Sequence, residues 1–178
     1  MINPGELAFD IDGVCADTMN LFIDIAENVY GFRDIRYEDI TEYELESLGG
    51  VDSAMAVEII QRILDGNHDL RLLPLDGAAP VLKRLNQYHR PTLFVTARPS
   101  ADQIFDWICD TFLVRPEDID VVATGSFDDK TGVLLERGIR YFVEDRLDTC
   151  FQLSHGGIHP IVFRQPWNRK PHPFMEIG

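Results

Sequence analysis

Apolar residues follow two rhythms along this chain. Five short runs, Leu7 to Ile11, Thr92 to Thr96, Asp120 to Thr124, Tyr141 to Glu144 and Pro160 to Phe163, are mostly continuous rather than alternating. That is the signature of parallel strands covered on both faces. Between them the spacing changes to that of helices. Met19, Phe22, Ile23, Ala26, Val29 and Tyr30 recur at three and four residues until Gly31 supplies a stop. Asp52 or Ser53 caps a second helix, with Met55, Ile59 and Ile63 on one face and Gly66 at its end. A third spans Gly77 to Gln87, with Pro80 in its first turn. Ser100 and Gln103 form a capping box for a fourth, which buries Ile104, Phe105, Ile108 and Phe112. Lys130 to Gly138 and Leu147 to His155 read as two shorter helices.

Strands alternating with helices predict an α/β fold with a doubly wound, mainly parallel, five-stranded Rossmann-like sheet. One interval breaks the alternation. About eighty residues separate position 12 from position 92, whereas a parallel crossover needs about a dozen. The acidic, helix-rich stretch 17–75 is therefore read as an insertion, and 1–16 with 76–178 as the core that carries it. The tail from Gln165, "QPWNRKPHPFMEIG", holds three prolines and is expected to run irregularly over the surface. No repeat or low-complexity segment is present.

Charge narrows the function. Sixteen Lys and Arg against thirty Asp and Glu give a net charge of -14, which repels nucleic-acid polymers and anionic membranes. A small anion would need a local positive site. No stretch resembles a signal peptide or a membrane span, and the three cysteines, Cys15, Cys109 and Cys150, form no CxxC pair. The expectation is a cytoplasmic protein in a reducing compartment. Cys15 has no neighbouring His or Lys to activate its thiol and is read as a packing residue.

In a doubly wound sheet ligands gather beyond the carboxyl ends of the strands. There the sequence places Asp10 and Asp12 after the first strand, Thr96 at the end of the second, and Glu144 with Asp145 at the end of the fourth. Carboxylates converging on one crevice repel one another unless a cation sits among them, and hard oxygen ligands suit Mg²⁺. Lys130 and the Thr96 hydroxyl add what a phosphoryl group needs as it transfers. The expected partner is a small phosphorylated metabolite.

The four motifs resemble those of the haloacid dehalogenase-like (HAD) phosphohydrolase superfamily: "DIDGV" at Asp10 to Val14, "LFVTARP" at Thr96, "FDDKTG" at Lys130, and "YFVEDRLD" at Glu144 and Asp145. They occur in order over nearly the whole chain. The resemblance implies that Asp10 is the nucleophile and Asp12 the general acid and base. It implies that Thr96, Ala97 and Lys130 hold the phosphoryl oxygens, and that Asp10, Asp12 and Asp145 bind Mg²⁺, with Glu144 a direct or water-mediated ligand. Dehalogenases of the superfamily lack the second Asp, so Asp12 marks a phosphatase, and 17–75 resembles a small helical cap. "VFRQPWNR" and "EDR" are similar to the deoxyribonucleotidase-like, cytosolic type C nucleotidase branch, with Glu144 in place of an Asp and Trp167 in place of a Tyr.

Other readings stand beside these. An EF-hand loop is excluded because the twelfth position from Asp10 is Leu21. Phe22, Phe32, Tyr37 and Tyr43, with Tyr30, either stack on a nucleobase or form the core of the cap. Arg98 and Arg146 either contact substrate or make structural ion pairs. The five histidines show no zinc spacing. The expected function is a Mg²⁺-dependent phosphomonoesterase working through an aspartyl phosphate, with a nucleoside monophosphate as first substrate. A sugar-phosphate phosphatase or phosphomutase would share the motifs. A non-catalytic phosphate-sensing protein would have no use for Asp12.

Overall fold

The computed structural model of the protein describes residues 2–33, 35–43, 45 and 51–178. Six strands form one sheet: β1 Leu7–Phe9, β2 Thr92–Thr96, β3 Ile119–Ala123, β4 Tyr141–Glu144, β5 His159–Phe163 and β6 Met175–Ile177. Their order is β3-β2-β1-β4-β5-β6 and every pairing is parallel. Among the described residues the main helices are α1 Thr18–Tyr30, α2 Ser53–Asp65, α3 Ala78–Leu85, α4 Asp102–Phe112, α5 Lys130–Glu136 and α6 Leu147–His155.

The continuous apolar runs are explained by what lies on each side of the sheet. Phe94 and Val143 point into a cluster with Leu82 of α3 and Ile104 and Ile108 of α4. Their neighbours Leu93, Val95 and Phe142 point the other way, against Leu134 of α5 and Leu153 of α6. Alternate residues of one strand thus fill different cores, so no position can be polar without cost. All five residues of β2 are buried.

The stretch between β1 and β2 has a hydrophobic cluster of its own, in which Leu21, Phe22 and Ile25 of α1 meet Ala56, Ile59 and Ile63 of α2. Asp17 caps α1 by accepting from Asn20 N, and Gly31, at φ 75°, ends it in the left-handed conformation. The stretch enters and leaves by adjacent chains: Asp17 N donates to Leu73 O at 2.8 Å and Leu75 N to Cys15 O at 2.8 Å. Its two ends are thereby fixed beside Asp10 and Asp12.

Two expectations are corrected. Helix α4 begins at Asp102 without a side-chain cap; Ser100 Oγ accepts from Asp102 N, and Gln103 reaches out to Asp65 O at 3.2 Å instead of back to close a box. The tail runs irregularly over the surface only at 169–174. Gln165, Pro166, Trp167 and Asn168 are buried in a short turn of 3₁₀ helix, and Met175–Ile177 adds a sixth strand beside β5. Here the polar side chains that signalled a solvated loop are satisfied inside the protein.

Candidate active site

The strand order reverses direction at β1, whose neighbours are β2 and β4. Beyond the carboxyl ends of these three strands the chain brings together Asp10, Thr96, Glu144 and Asp145, all buried. This is the crevice that a doubly wound sheet offers to ligands.

Lys130, the first residue of α5, is fully buried. Its Nζ lies 2.7 Å from Asp10 Oδ2 and 2.9 Å from Glu144 Oε2. Burial opposes its charge, but the two carboxylates outweigh that and push its pKa above the ordinary lysine value. The ammonium is therefore permanent. Glu144 Oε1 accepts from Asp145 N at 3.1 Å and Arg146 N at 3.0 Å. Both Glu144 oxygens are thus engaged in holding Lys130 and the following turn.

Asp10 Oδ1 accepts from Ile11 N at 2.7 Å. Burial pushes the Asp10 carboxyl up to about 8, against the pull of Lys130, and Glu144 and Asp12 add to the rise. The Cys15 thiol donates to Asp10 O at 3.2 Å and is itself held protonated by burial, in keeping with a packing role. Asp12 is different. Arg98 grips it with two bonds, Nε to Oδ2 at 2.9 Å and Nη2 to Oδ1 at 2.7 Å, and the Thr18 hydroxyl donates to Oδ1. Burial raises its pKa, but Arg98 and Thr18 more than offset this and hold the carboxyl below the usual range. Two aspartates two residues apart are thus shifted in opposite directions in the cation-free protein.

The donor set fits a divalent cation. Asp10, Glu144 and Asp145 each bring a carboxylate oxygen within 4.8 Å of the others. Asp145 Oδ1 is buried without a hydrogen-bond partner, and its carboxyl is raised well above the normal value by burial and by Glu144 and Asp10. Gly13, at φ 74°, leaves the needed room: a Cβ there would lie 2.2 Å from Asp145 Oδ2. A buried, unpaired oxygen among like charges calls for a cation.

A cavity of about 500 Å³ opens over these groups. Its floor holds Asp10, Asp12, Thr96, Ala97 and Asp145; much of its roof is the apolar surface of α1 and α2, including Met19, Phe22, Val57 and Ile60. Of the aromatic candidates, Phe22 and Tyr43 line it. Phe32, like Tyr30, packs against the α1/α2 cluster, and Tyr37 packs against Trp167, ring centroids 5.6 Å apart. Arg98 and Arg146 both reach the cavity wall. Arg146 sits over the rings of Tyr43 and Phe127, at 5.3 and 4.7 Å.

The sequence reading missed the turn after β5. Trp167 Nε1 donates to Asp145 Oδ2 at 3.0 Å, Asn168 Nδ2 donates to Asp145 O at 2.8 Å, and Gln165 Nε2 donates to Gly13 O at 2.7 Å. The only available signal was the likeness of "QPWN" to a branch ending.

An open parallel sheet with an acidic crevice and a buried lysine at its switch point fits a HAD-like hydrolase. Residues 4–176 match the family described as 5′ nucleotidase, deoxy (pyrimidine), cytosolic type C protein, and the chain belongs to that family of phosphatases. Solved structures share the fold. A HAD-superfamily hydrolase from Ehrlichia chaffeensis is 16% identical with a TM-score of 0.60, over 99% of this chain and 92% of that one. A haloacid dehalogenase-like family hydrolase from Streptococcus pneumoniae is 13% identical with a TM-score of 0.60, over 89% and 83%. A HAD family hydrolase from Deinococcus radiodurans R1, solved with bound phosphate and sodium, is 13% identical with a TM-score of 0.56, over 93% and 85%. A comparison with curated proteins finds no match. No helix among the described residues is long and apolar enough to cross a membrane.

The titration of the site gives a prediction with a definite sign. A carboxyl raised from 3.8 to about 8 stabilises the cation-free fold below pH 3.8, and that contribution is lost as pH rises through 8. A cation that replaces the protons should recover it. A divalent cation should therefore raise Tm more at pH 8 than at pH 5 and release protons on binding, as read by thermal unfolding and by calorimetry in two buffers. Equal Tm increments at both pH values would contradict the assignment.

Proposed function

We propose that the protein is a Mg²⁺-dependent phosphomonoesterase that works through an aspartyl phosphate at Asp10, with nucleoside monophosphates as its substrates. The observation that carries the reading is the Asp10–Lys130–Glu144 cluster at the switch point of the sheet, with Asp12 clamped beside it. The family match and the bound phosphate of the Deinococcus radiodurans neighbour support it.

In this reading Asp10 and Asp145, with the backbone carbonyl of Asp12, hold Mg²⁺, and Glu144 acts through Lys130 or a water. When bound, the cation neutralises charge on the phosphoryl oxygens and on Asp10. Lys130 and the Thr96 hydroxyl hold the phosphoryl oxygens, beside the backbone at Ala97. A carboxylate oxygen of Asp10 forms a bond to phosphorus as the bond to the leaving oxygen breaks, and that oxygen takes a proton from Asp12. Water then attacks the phosphorus, Asp12 takes its proton, and the bond to Asp10 breaks to release phosphate. The resting site holds Asp12 as a carboxylate, the form suited to the second step. The protonated form needed for the first step is reached when Asp12 takes a proton from solvent water as the arriving phosphoryl dianion competes for the Arg98 guanidinium.

The stretch 17–75 acts as the cap over the crevice, because the groups on the floor are occupied with phosphoryl and metal. The leaving group then meets α1, α2 and Tyr43. Tyr43 lines the cavity and, in this reading, stacks on the base.

Asp10→Asn should abolish phosphate release while preserving the fold, and Asp12→Asn should lower kcat ~10²- to 10⁴-fold. Steady-state assays with nucleoside monophosphates and p-nitrophenyl phosphate read both, and wild-type turnover by Asp10→Asn would overturn the mechanism. For the leaving group, Tyr43→Ala should raise KM for nucleotides by roughly 5- to 150-fold, the equivalent of losing ~1 to 3 kcal/mol of ring stacking, and spare the small aryl ester. Equal losses on both, with a lower Tm, would make Tyr43 a packing residue and remove the nucleotide preference.

A further inference from the structure

The turn Gln165 to Asn168 touches three parts of the protein that are far apart in sequence. Towards the first motif, Gln165 Nε2 donates to Gly13 O. Towards the fourth, Trp167 Nε1 donates to Asp145 Oδ2 at 3.0 Å, and Asn168 Nδ2 donates to the backbone oxygens of Asp145 and Phe163, both at 2.8 Å. Towards the stretch between β1 and β2, Tyr37 OH donates to Gln165 Oε1 at 2.7 Å, and the Trp167 ring packs with Ile23 and Ile40. The turn closes on itself, since Gln165 and Asn168 cap each other. Four consecutive residues are buried here, two of them with amide side chains. A surface tail would need none of this.

The consequence lies at Asp145. Its two oxygens are not equivalent: Oδ2 accepts the indole N–H, and Oδ1 is buried with no hydrogen-bond partner. An indole donates one hydrogen bond and accepts none, so Trp167 fixes one oxygen and leaves the other as the free donor to a cation. The side chain is then held in one rotamer by a rigid ring. Partners of this kind set the orientation of a metal's ligands.

We propose that Trp167 is a positioning residue for the cation site: its N–H selects Asp145 Oδ1 as the coordinating oxygen, and Tyr37 seats the turn that carries it. The proposal rests on the reading of Asp145 as a metal ligand. It makes the cap stretch a determinant of metal affinity as well as of the leaving group, because Tyr37 lies between β1 and β2 in sequence.

The test compares wild type, Trp167→Phe and Tyr37→Phe. Trp167→Phe keeps a ring and removes the N–H; Tyr37→Phe removes only the hydroxyl on Gln165. Mg²⁺ binding to each is measured by calorimetry without substrate, next to the Mg²⁺ concentration that half-activates hydrolysis of p-nitrophenyl phosphate and the Tm of the cation-free protein. Trp167→Phe should bind Mg²⁺ about 10-fold more weakly, with the half-activating concentration shifted by the same factor. Tyr37→Phe should weaken binding about threefold, a hydrogen bond's worth. A lower cation-free Tm with unchanged Mg²⁺ affinity would show that Trp167 only packs, and would overturn the proposal. Should Trp167→Phe fail to fold, an unchanged affinity in Tyr37→Phe overturns it alone. A wild type that binds Mg²⁺ but releases no phosphate from any monoester refutes the hydrolase reading, while the calorimetric comparison still decides the proposal.

Discussion

One ammonium holds the centre of this protein. Lys130 is fully buried between Asp10 and Glu144, and a buried charge survives only where its partners are fixed. Each partner sits at a strand end: Asp10 follows β1, and Glu144 closes β4. Lys130 therefore joins the two central strands through the first residue of α5. With Asp145 beside them, three carboxylates face one lysine. The cluster is left short of positive charge, which a divalent cation would supply, while Arg98 answers the charge of Asp12 beside it.

The rest of the architecture follows from giving that cluster a dry, rigid setting. Helices on both faces cover the central strands, so the buried polar groups of the site gather where those strands end. The sheet's reversal at β1 opens the crevice there. The stretch between β1 and β2 enters and leaves beside Asp12, through its paired ends at Asp17 and Leu73, which places an apolar roof over a charged floor. The turn at Gln165 to Asn168 ties roof and floor together.

Much of this was legible in the sequence, for physical reasons. Continuous apolar runs read as doubly covered strands because each residue has a core to fill. Asp10, Thr96, Lys130, Glu144 and Asp145 stood out because charged and polar groups at the ends of such runs have few structural uses. Arg98 was ambiguous, since a guanidinium can serve substrate or a carboxylate; the structure shows it on Asp12. Two features escaped. β6 is three residues long, all of them exposed, too short for any period to show, and prolines precede it. Gln165, Trp167 and Asn168 look like a polar surface tail until their partners, which lie more than twenty residues away at Asp145 and more than a hundred away at Gly13 and Tyr37, are known. The aromatics between β1 and β2 divided for the same reason, because helical spacing assigns a face but not what the face meets.

If the buried cluster makes Asp10 a nucleophile towards phosphorus, that residue carries an acyl phosphate during turnover. The most direct measurement is to quench the enzyme with acid during steady-state turnover in Mg²⁺, reduce with borohydride, and map the product by peptide mass spectrometry. An acyl phosphate at Asp10 is reduced to homoserine, so that change is expected at Asp10, dependent on both substrate and Mg²⁺. Rapid turnover with no modified residue, or with the change at any other carboxylate, would contradict it.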